Sequence, residues 1–218
     1  MGLDLGGLEA IILDFGGVFT RPGPRNTVLS RCEGELGLQP GTLLQLLFAG
    51  QHWWSWSTGR CSAEEYWEPI LAALGGHVPP ALEPFRVNPF AYEKLNLSVV
   101  KQVRELQKRY RIALLSNATP YLEIALSDHQ LTNLFDVIVN SSRVGTRKPE
   151  PAIFHLTLDR LRLGPQLCLF IDDKPRNTAV ARQIGMAAVE FSSAAHLKRQ
   201  LTSLGGQLSQ TVATEPQE

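Results

Sequence analysis

Cysteine is scarce in this chain, and neither sign of charge is in excess. Three cysteines, Cys32, Cys61 and Cys168, stand far apart among 218 residues. No C-x-x-C and no Cys/His cluster accompanies them, so there is no zinc-site pattern and the chain reads as reduced. Lys plus Arg and Asp plus Glu number 21 each. A zero net charge argues against nonspecific nucleic-acid binding, which needs a surplus of cations facing phosphates. No apolar run approaches the roughly 18 residues of a membrane span. Met1 to Leu8 hold Asp4 and no basic cluster, unlike a signal peptide. Gly6 stands where a myristoylation signal wants Ser or Thr. No G-x-G-x-x-G follows the first apolar run, so Gly16-Gly17 is not a dinucleotide fingerprint. His52, His77, His129, His155 and His196 lack metal-ligand spacing and read as surface or boundary residues. The expectation is a cytoplasmic protein, monomer or homodimer, with neither nucleic acid nor membrane as partner.

The composition that remains is 44% hydrophobic and 19% charged, enough to bury a sizeable core and far from a disordered chain. The length allows one to two domains. Five short apolar runs recur: Ala10 to Leu13, Ile112 to Leu115, Val137 to Val139, Leu167 to Ile171 and Ala187 to Val189. They lack alternation, as expected of parallel strands buried on both faces. Helical patterns separate them. Ser98 is placed to cap one, Thr119-Pro120 to open another, and Pro151 and Pro175 to sit at first helical positions. Gly185 closes the last of these. Strand–helix alternation predicts an α/β fold with helices on both faces of a parallel sheet. Residues 21 to about 95 interrupt it without a convincing strand. Asn26 to Leu36, Gly41 to Ala49 and Ser62 to Leu74 read as short helices. Ser62 and Glu65 form a capping-box pattern, and Pro69 is expected to kink the helix it opens. Gly205 to Glu218 is polar and aperiodic and reads as a disordered tail.

In an open parallel sheet, ligands bind beyond the carboxyl ends of the strands. Asp14, Ser116, Lys148 and the pair Asp172-Asp173 each end, or lie just beyond, an apolar run. Three carboxylates drawn to one edge repel unless a cation joins them. Mg²⁺ prefers such oxygen donors, and together with Lys148 it balances the three negative charges. A phosphate dianion then has the metal, Lys148, the Ser116 hydroxyl and backbone N–H groups to hold it. Asp14 is placed to attack phosphorus and form an aspartyl-phosphate that water cleaves.

Asp14-Phe15-Gly16-Gly17-Val18, Leu115-Ser116-Asn117, Arg147-Lys148-Pro149-Glu150-Pro151 and Phe170-Ile171-Asp172-Asp173 resemble, in order, the four motifs of the haloacid dehalogenase-like hydrolases. The resemblance covers about Leu8 to Phe191. It implies a Rossmann-like three-layer core over 8–20 and 96–204, with a small all-helical cap over 21–95 inserted after the first strand. The stretch Ser142 to Pro149 is similar to the subgroup of bacterial sugar-phosphate phosphatases and the N-terminal phosphatase domain of soluble epoxide hydrolases. By this resemblance Asp14 is nucleophile and metal ligand, and the Gly16 carbonyl is a second Mg²⁺ ligand. Asp173 is the usual metal ligand, and Asp172 supports it. Ser116, Asn117 and Lys148 hold the phosphoryl group, and the substrate is a small phosphorylated metabolite.

Two positions depart from that pattern. Gly16 stands where most phosphatases of the superfamily carry the Asp that protonates the leaving group, a contribution of typically 10²- to 10⁴-fold. Asn177 stands where many have Asp. Gly16 keeps open a second reading, a weakly active or inactive protein that binds a phosphorylated ligand or partner. A 2-haloacid dehalogenase needs no acid at position 16, but it works without the metal that Asp172-Asp173 is suited to hold. A signalling receiver domain shares the residue types but not the helical insert. Arg143 and Arg147 read as surface or loop-structuring residues. The aromatics Trp53, Trp54, Trp56, Tyr66 and Trp67 read first as the core of the insert, with one or two rings left to face the cleft. Hinges for the insert are expected near Thr20 to Pro24 and Asn88 to Leu95.

Overall fold

The computed structural model describes residues 7–211, with side chains except those of Pro22 and of residues 203–211. The strands are β1 (Ala10–Leu13), β2 (Thr20–Pro22), β3 (Glu93–Leu95), β4 (Arg111–Ser116), β5 (Val137–Asn140), β6 (Cys168–Asp172) and β7 (Ala187–Glu190). Between β2 and β3 lie α1 (Arg25–Leu36), α2 (Thr42–Phe48), α3 (Gly50–Ser57), α4 (Ala63–Ala73) and α5 (Glu83–Val87). The rest of the chain supplies α6 (Leu97–Leu106), α7 (Leu122–Asp128), α8 (Ser141–Val144), α9 (Pro151–Leu161), α10 (Pro175–Gln183) and α11 (Ala194–Thr211).

Five strands form a parallel sheet in the order β5-β4-β1-β6-β7. All four side chains of β1 are buried. Successive strand residues point to opposite faces. Ile11 and Leu13 therefore pack with Val99, Val103, Leu122 and Leu126 of α6 and α7. Ala10 and Ile12 pack with Ile153, Phe154 and Ala181 of α9 and α10 on the other side. This two-sided burial is why the five runs carry no polar alternation. The chain leaves β1 for β4 on one side and returns to β6 on the other. The order thus reverses at β1, and that reversal opens a crevice at the strands' carboxyl ends.

The insert forms its own apolar cluster, in which Trp56 stacks on Tyr66 at 4.2 Å between ring centroids. Ser62 caps α4 as expected, with a reciprocal bond between its N–H and Glu65. Pro69 lies inside α4, which continues across it to Ala73. The insert was expected to hold no strand. Its two linkers instead pair as the antiparallel β2–β3 ribbon, Thr20 opposite Leu95 and Arg21 opposite Lys94. Three-residue strands carry too little periodicity to register in sequence. The Glu93 carboxylate ties this ribbon to the first helix of the insert, accepting from the Thr20 hydroxyl and, at 3.1 Å, from Arg25.

Three boundaries differ from expectation. The helix expected to be capped by Ser98 begins at Leu97, because the N–H groups of Val99 and Val100 both donate to the Asn96 carbonyl. The helix expected to open at Thr119-Pro120 begins at Leu122, because the Thr119 hydroxyl instead accepts from the Tyr121 N–H. Gly205 to Thr211, expected as tail, continue α11. Residues 212–218 of that tail, and Met1 to Gly6, lie outside the described residues. Among the described residues no helix is long and apolar enough to cross a membrane.

Candidate active site

Asp14 follows β1 and is almost fully buried. Its backbone N–H donates to the Ile171 carbonyl, which extends the β1–β6 pairing by one residue. The chain then enters a wide turn, closed where the Thr20 N–H donates to the Phe15 carbonyl. Asp14 Oδ1 accepts from the Phe15 N–H at 2.7 Å and from Lys148 Nζ at 2.9 Å, so Oδ2 is the oxygen left over. Gly17 occupies this turn at φ +83°, where a side chain is disfavoured. A Cβ there would lie 2.5 Å from Asp173 Oδ2. Glycine at 17 is therefore what lets the Asp173 carboxylate enter the site.

Asp172 ends β6 and is wholly buried. Its oxygens accept from Lys148 Nζ at 2.6 Å, from the Lys174 N–H at 2.8 Å and from the Asn177 amide at 3.0 and 2.9 Å. Asn177 is thus a hydrogen-bond donor to Asp172, a role an ionised carboxylate cannot fill. Asp173, half-buried beside it, has a buried Oδ1 with no partner. Asp14, Asp172 and Asp173 each present an oxygen within 4.8 Å of the others. A hard divalent cation fits this set, and Asp14 Oδ2 and the orphaned Asp173 oxygen are donors without a competing bond.

Lys148 is 1% exposed and holds Asp14 and Asp172 together. Its backbone is clamped by Asn117, whose amide oxygen accepts from the Lys148 N–H and whose amide nitrogen donates to the Lys148 carbonyl, both at 2.8 Å. Asn117, expected at the phosphoryl group, spends its amide on this clamp. Burial, the largest influence, pulls the Lys148 pKa down, but the two carboxylates and their hydrogen bonds outweigh it and the net shift is upward. Burial pushes Asp14 up against the opposing pull of Lys148. Burial also raises Asp173, with Lys174 opposing. These three shifts describe carboxylates crowded around one ammonium.

Asp14, Gly16, Ser116 and Asn117 line a cavity of about 310 Å³. Its other wall comes from the insert, with Leu44, Phe48 and Trp53, and from Pro89 and Phe90 just before β3. Trp53, Phe48 and Phe90 are thus rings that face the cleft, while Trp56, Tyr66 and Trp67 pack inward. The insert is seated on the core. The Ser57 carbonyl accepts from the Ser141 hydroxyl. A Cβ on Gly59 would meet the Ser142 carbonyl at 2.2 Å, so only glycine permits that approach. Tyr121 meets Trp56 edge-on at 6.1 Å.

Arg143 structures the loop as expected, reaching Glu123 and the Pro120 carbonyl. Arg147, expected with it, instead lines the cavity with Lys174 and Arg176. Sequence reasoning missed Arg176 and Lys174, although their place just after Asp172-Asp173 was a usable signal.

A parallel sheet reversing at β1, an inserted helical unit and an acidic cluster around a buried lysine define an α/β core with a helical insert over its candidate site. Residues 8–185 match the haloacid dehalogenase-like hydrolase family, and the chain belongs to that family. It is 28% identical over 207 residues to drimenol cyclase drtB of Aspergillus calidoustus, covering 91% of this chain and 37% of the cyclase. It is 24% identical over 151 residues to D-ribitol-5-phosphate phosphatase of Bacteroides thetaiotaomicron, covering 66% of this chain and 73% of that enzyme. A HAD family enzyme from the same bacterium, solved with magnesium and inorganic phosphate, aligns at a TM-score of 0.72 and 18% identity, over 88% of this chain and 99% of that one. The chain spans 37% of the length of the first curated relative it matches and about 14% of the next.

Proposed function

We propose that this protein is a Mg²⁺-dependent phosphomonoester hydrolase that acts on a small phosphorylated metabolite through an aspartyl-phosphate on Asp14. The observation that carries the reading is the placement of Asp14 on the cavity lining, bound on one oxygen by Lys148 and within metal-sharing distance of an unpartnered Asp173 oxygen. Asp14, Asp173 and the Gly16 carbonyl are the groups that would hold Mg²⁺, with Asp172 steadying Lys148 beside them. The ion supplies charge neutralisation and orientation of the phosphoryl oxygens. Asp14 attacks phosphorus, the bond to the ester oxygen breaks, and that oxygen leaves as the anion with the bonding pair and takes its proton from water. Water then attacks the same phosphorus and returns Asp14 as a carboxylate with inorganic phosphate. Lys148 and the Ser116 hydroxyl hold phosphoryl oxygens during both steps. The phosphatase and the magnesium–phosphate complex among the similar proteins support this reading.

Phosphate release from an aryl phosphate, measured with Mg²⁺ and with excess EDTA, tests it. The expected result is turnover that EDTA abolishes and Mg²⁺ restores. Equal release under both conditions sinks the metal dependence, and no release in either sinks the hydrolase reading. A Gly17→Ala variant is expected to lose on the order of 10- to 100-fold in activity and to need more Mg²⁺, because its methyl group displaces the Asp173 carboxylate. A Mg²⁺ titration of activity checks this; an unchanged half-saturation point removes Asp173 from the metal site.

Gly16 favours a second reading, of a ligand-binding protein with little turnover. Besides Asp14, the cavity's carboxyl is Glu93, already engaged by Thr20 and Arg25. A poor leaving group therefore lacks an evident proton donor. Gly16 has φ −69° and ψ 125°, ordinary for any residue, and open space at its Cβ position. Gly16→Asp is expected to raise turnover of alkyl phosphates by about 10²-fold or more, with a much smaller gain on aryl phosphates, whose leaving groups need no acid. Equal rates for the variant and the parent chain on both ester types would show that position 16 does not limit proton transfer.

A further inference from the structure

The core side of the cavity holds more positive charge than a single phosphoryl group uses. Arg147 lies in the loop between α8 and α9, and Arg176 in the first turn of α10, and both line the cavity. Among the described residues neither guanidinium makes a hydrogen bond or an ion pair. Arg147 is half-buried. Burial, and after it the neighbouring Arg176, pull its pKa below the usual arginine range, while Glu150 opposes them. That glutamate is itself bound by the Thr146 hydroxyl at 2.6 Å. Arg25, the further arginine lining the cavity, is paired with Glu93 at 3.1 Å. Arg147 and Arg176 thus line one cavity as neighbouring like charges, with no anion among the described residues bonded to either.

Two guanidinium groups held together without an anion are unfavourable, and an anion bridging them removes the penalty. Their planar forks match carboxylate and phosphate oxygens. The scissile phosphate has its own cation in Lys148, deep at Asp14. We propose that Arg147 and Arg176 form an anion subsite for the leaving group, so that the substrate is a phosphomonoester whose alcohol portion carries its own carboxylate or second phosphate. This rests on the hydrolase reading above. The apolar wall of Leu44, Phe48, Trp53 and Phe90 faces the hydrocarbon body between the two anions. A volume of about 310 Å³ is at the small end for ligand sites and restricts that body to a few carbons.

The test is calorimetric binding of three non-hydrolysable ligands to the Mg²⁺-loaded full chain: propylphosphonate, phosphonopropanoate and a propane bisphosphonate. The parent protein is expected to bind at least one of the two anion-bearing ligands about tenfold or more tightly than propylphosphonate. Which of the two gains more identifies the second anion as carboxylate or phosphate. In an Arg147→Gln/Arg176→Gln protein the preference is expected to fall to about twofold or less. Arg176→Gln alone, at an exposed position, serves if the double variant does not fold, and is expected to lose part of the preference. No preference in the parent protein, or an equal loss for all three ligands in the variants, overturns the subsite. Phenyl phosphate turnover measured alongside separates the two claims. Preference without turnover keeps the subsite and sinks the hydrolase reading; turnover without preference sinks the subsite alone.

Discussion

An Asp14→Asn protein is expected to stay folded and to lose phosphate release by a factor on the order of 10³ or more, because the proposed covalent mechanism has Asp14 as its sole nucleophile. The amide keeps the shape of the carboxyl. Its oxygen still accepts from the Phe15 N–H, bound at 2.7 Å in the parent chain. Lys148 retains Asp172 at 2.6 Å. Burial raises the Asp14 pKa above that of a free carboxyl, so without a cation the fold favours the neutral form and the ionised form costs stability above the unfolded pKa. A neutral amide therefore removes a strain and leaves thermal stability near or above that of the parent at neutral pH. Phosphate-release kinetics and a thermal melt check both halves. Full metal-dependent activity in the variant would remove Asp14 from the chemistry.

Lys148→Met has the opposite signature, with loss of stability as well as activity. Lys148 is buried and contacts Asp14 at 2.9 Å and Asp172 at 2.6 Å. Removing one partner of a buried ion pair leaves uncompensated charge and costs roughly 3–5 kcal/mol. Here two carboxylates lose their counter-ion at once, and the nearby Asp173 adds to their repulsion. The melting temperature is expected to fall by several degrees and to recover partly on adding Mg²⁺, because the ion supplies some of the missing charge. Turnover is expected to fall along with it and not to recover with added metal, because the proposed mechanism needs the Lys148 ammonium at a phosphoryl oxygen. A variant as stable as the parent in EDTA would show that Lys148 does not balance the acidic cluster.

The sheet could be read from the chain because each central strand is buried on both faces, which leaves an apolar run with no alternation to confuse it. The site could be read for a related reason. Parallel strands deliver their last residues to one edge, so Asp14, Ser116 and Asp172-Asp173 were marked by following apolar runs, however distant they are in sequence. The β2–β3 ribbon was not visible, because its three-residue strands gain their stability from contacts between residues distant in sequence, as in the Thr20–Glu93 side-chain bond across 73 positions. Arg147 was misjudged for a similar reason. Its sequence neighbours suit an exposed loop, and its place in the cavity depends on where α10 sets Arg176.

The five strands of the core sheet, the helical insert and the identity of the acidic residues follow from the amino-acid order, since burial on one or two faces is written in local periodicity. Partnership is a different matter. That Asp172 is saturated by Lys148, Lys174 and Asn177 while Asp173 keeps an orphaned oxygen came from the packed chain alone. Adjacent residues on a strand end point to opposite sides, and hydrogen-bond partners arriving from α10 and the Lys148 loop meet one of them and miss the other.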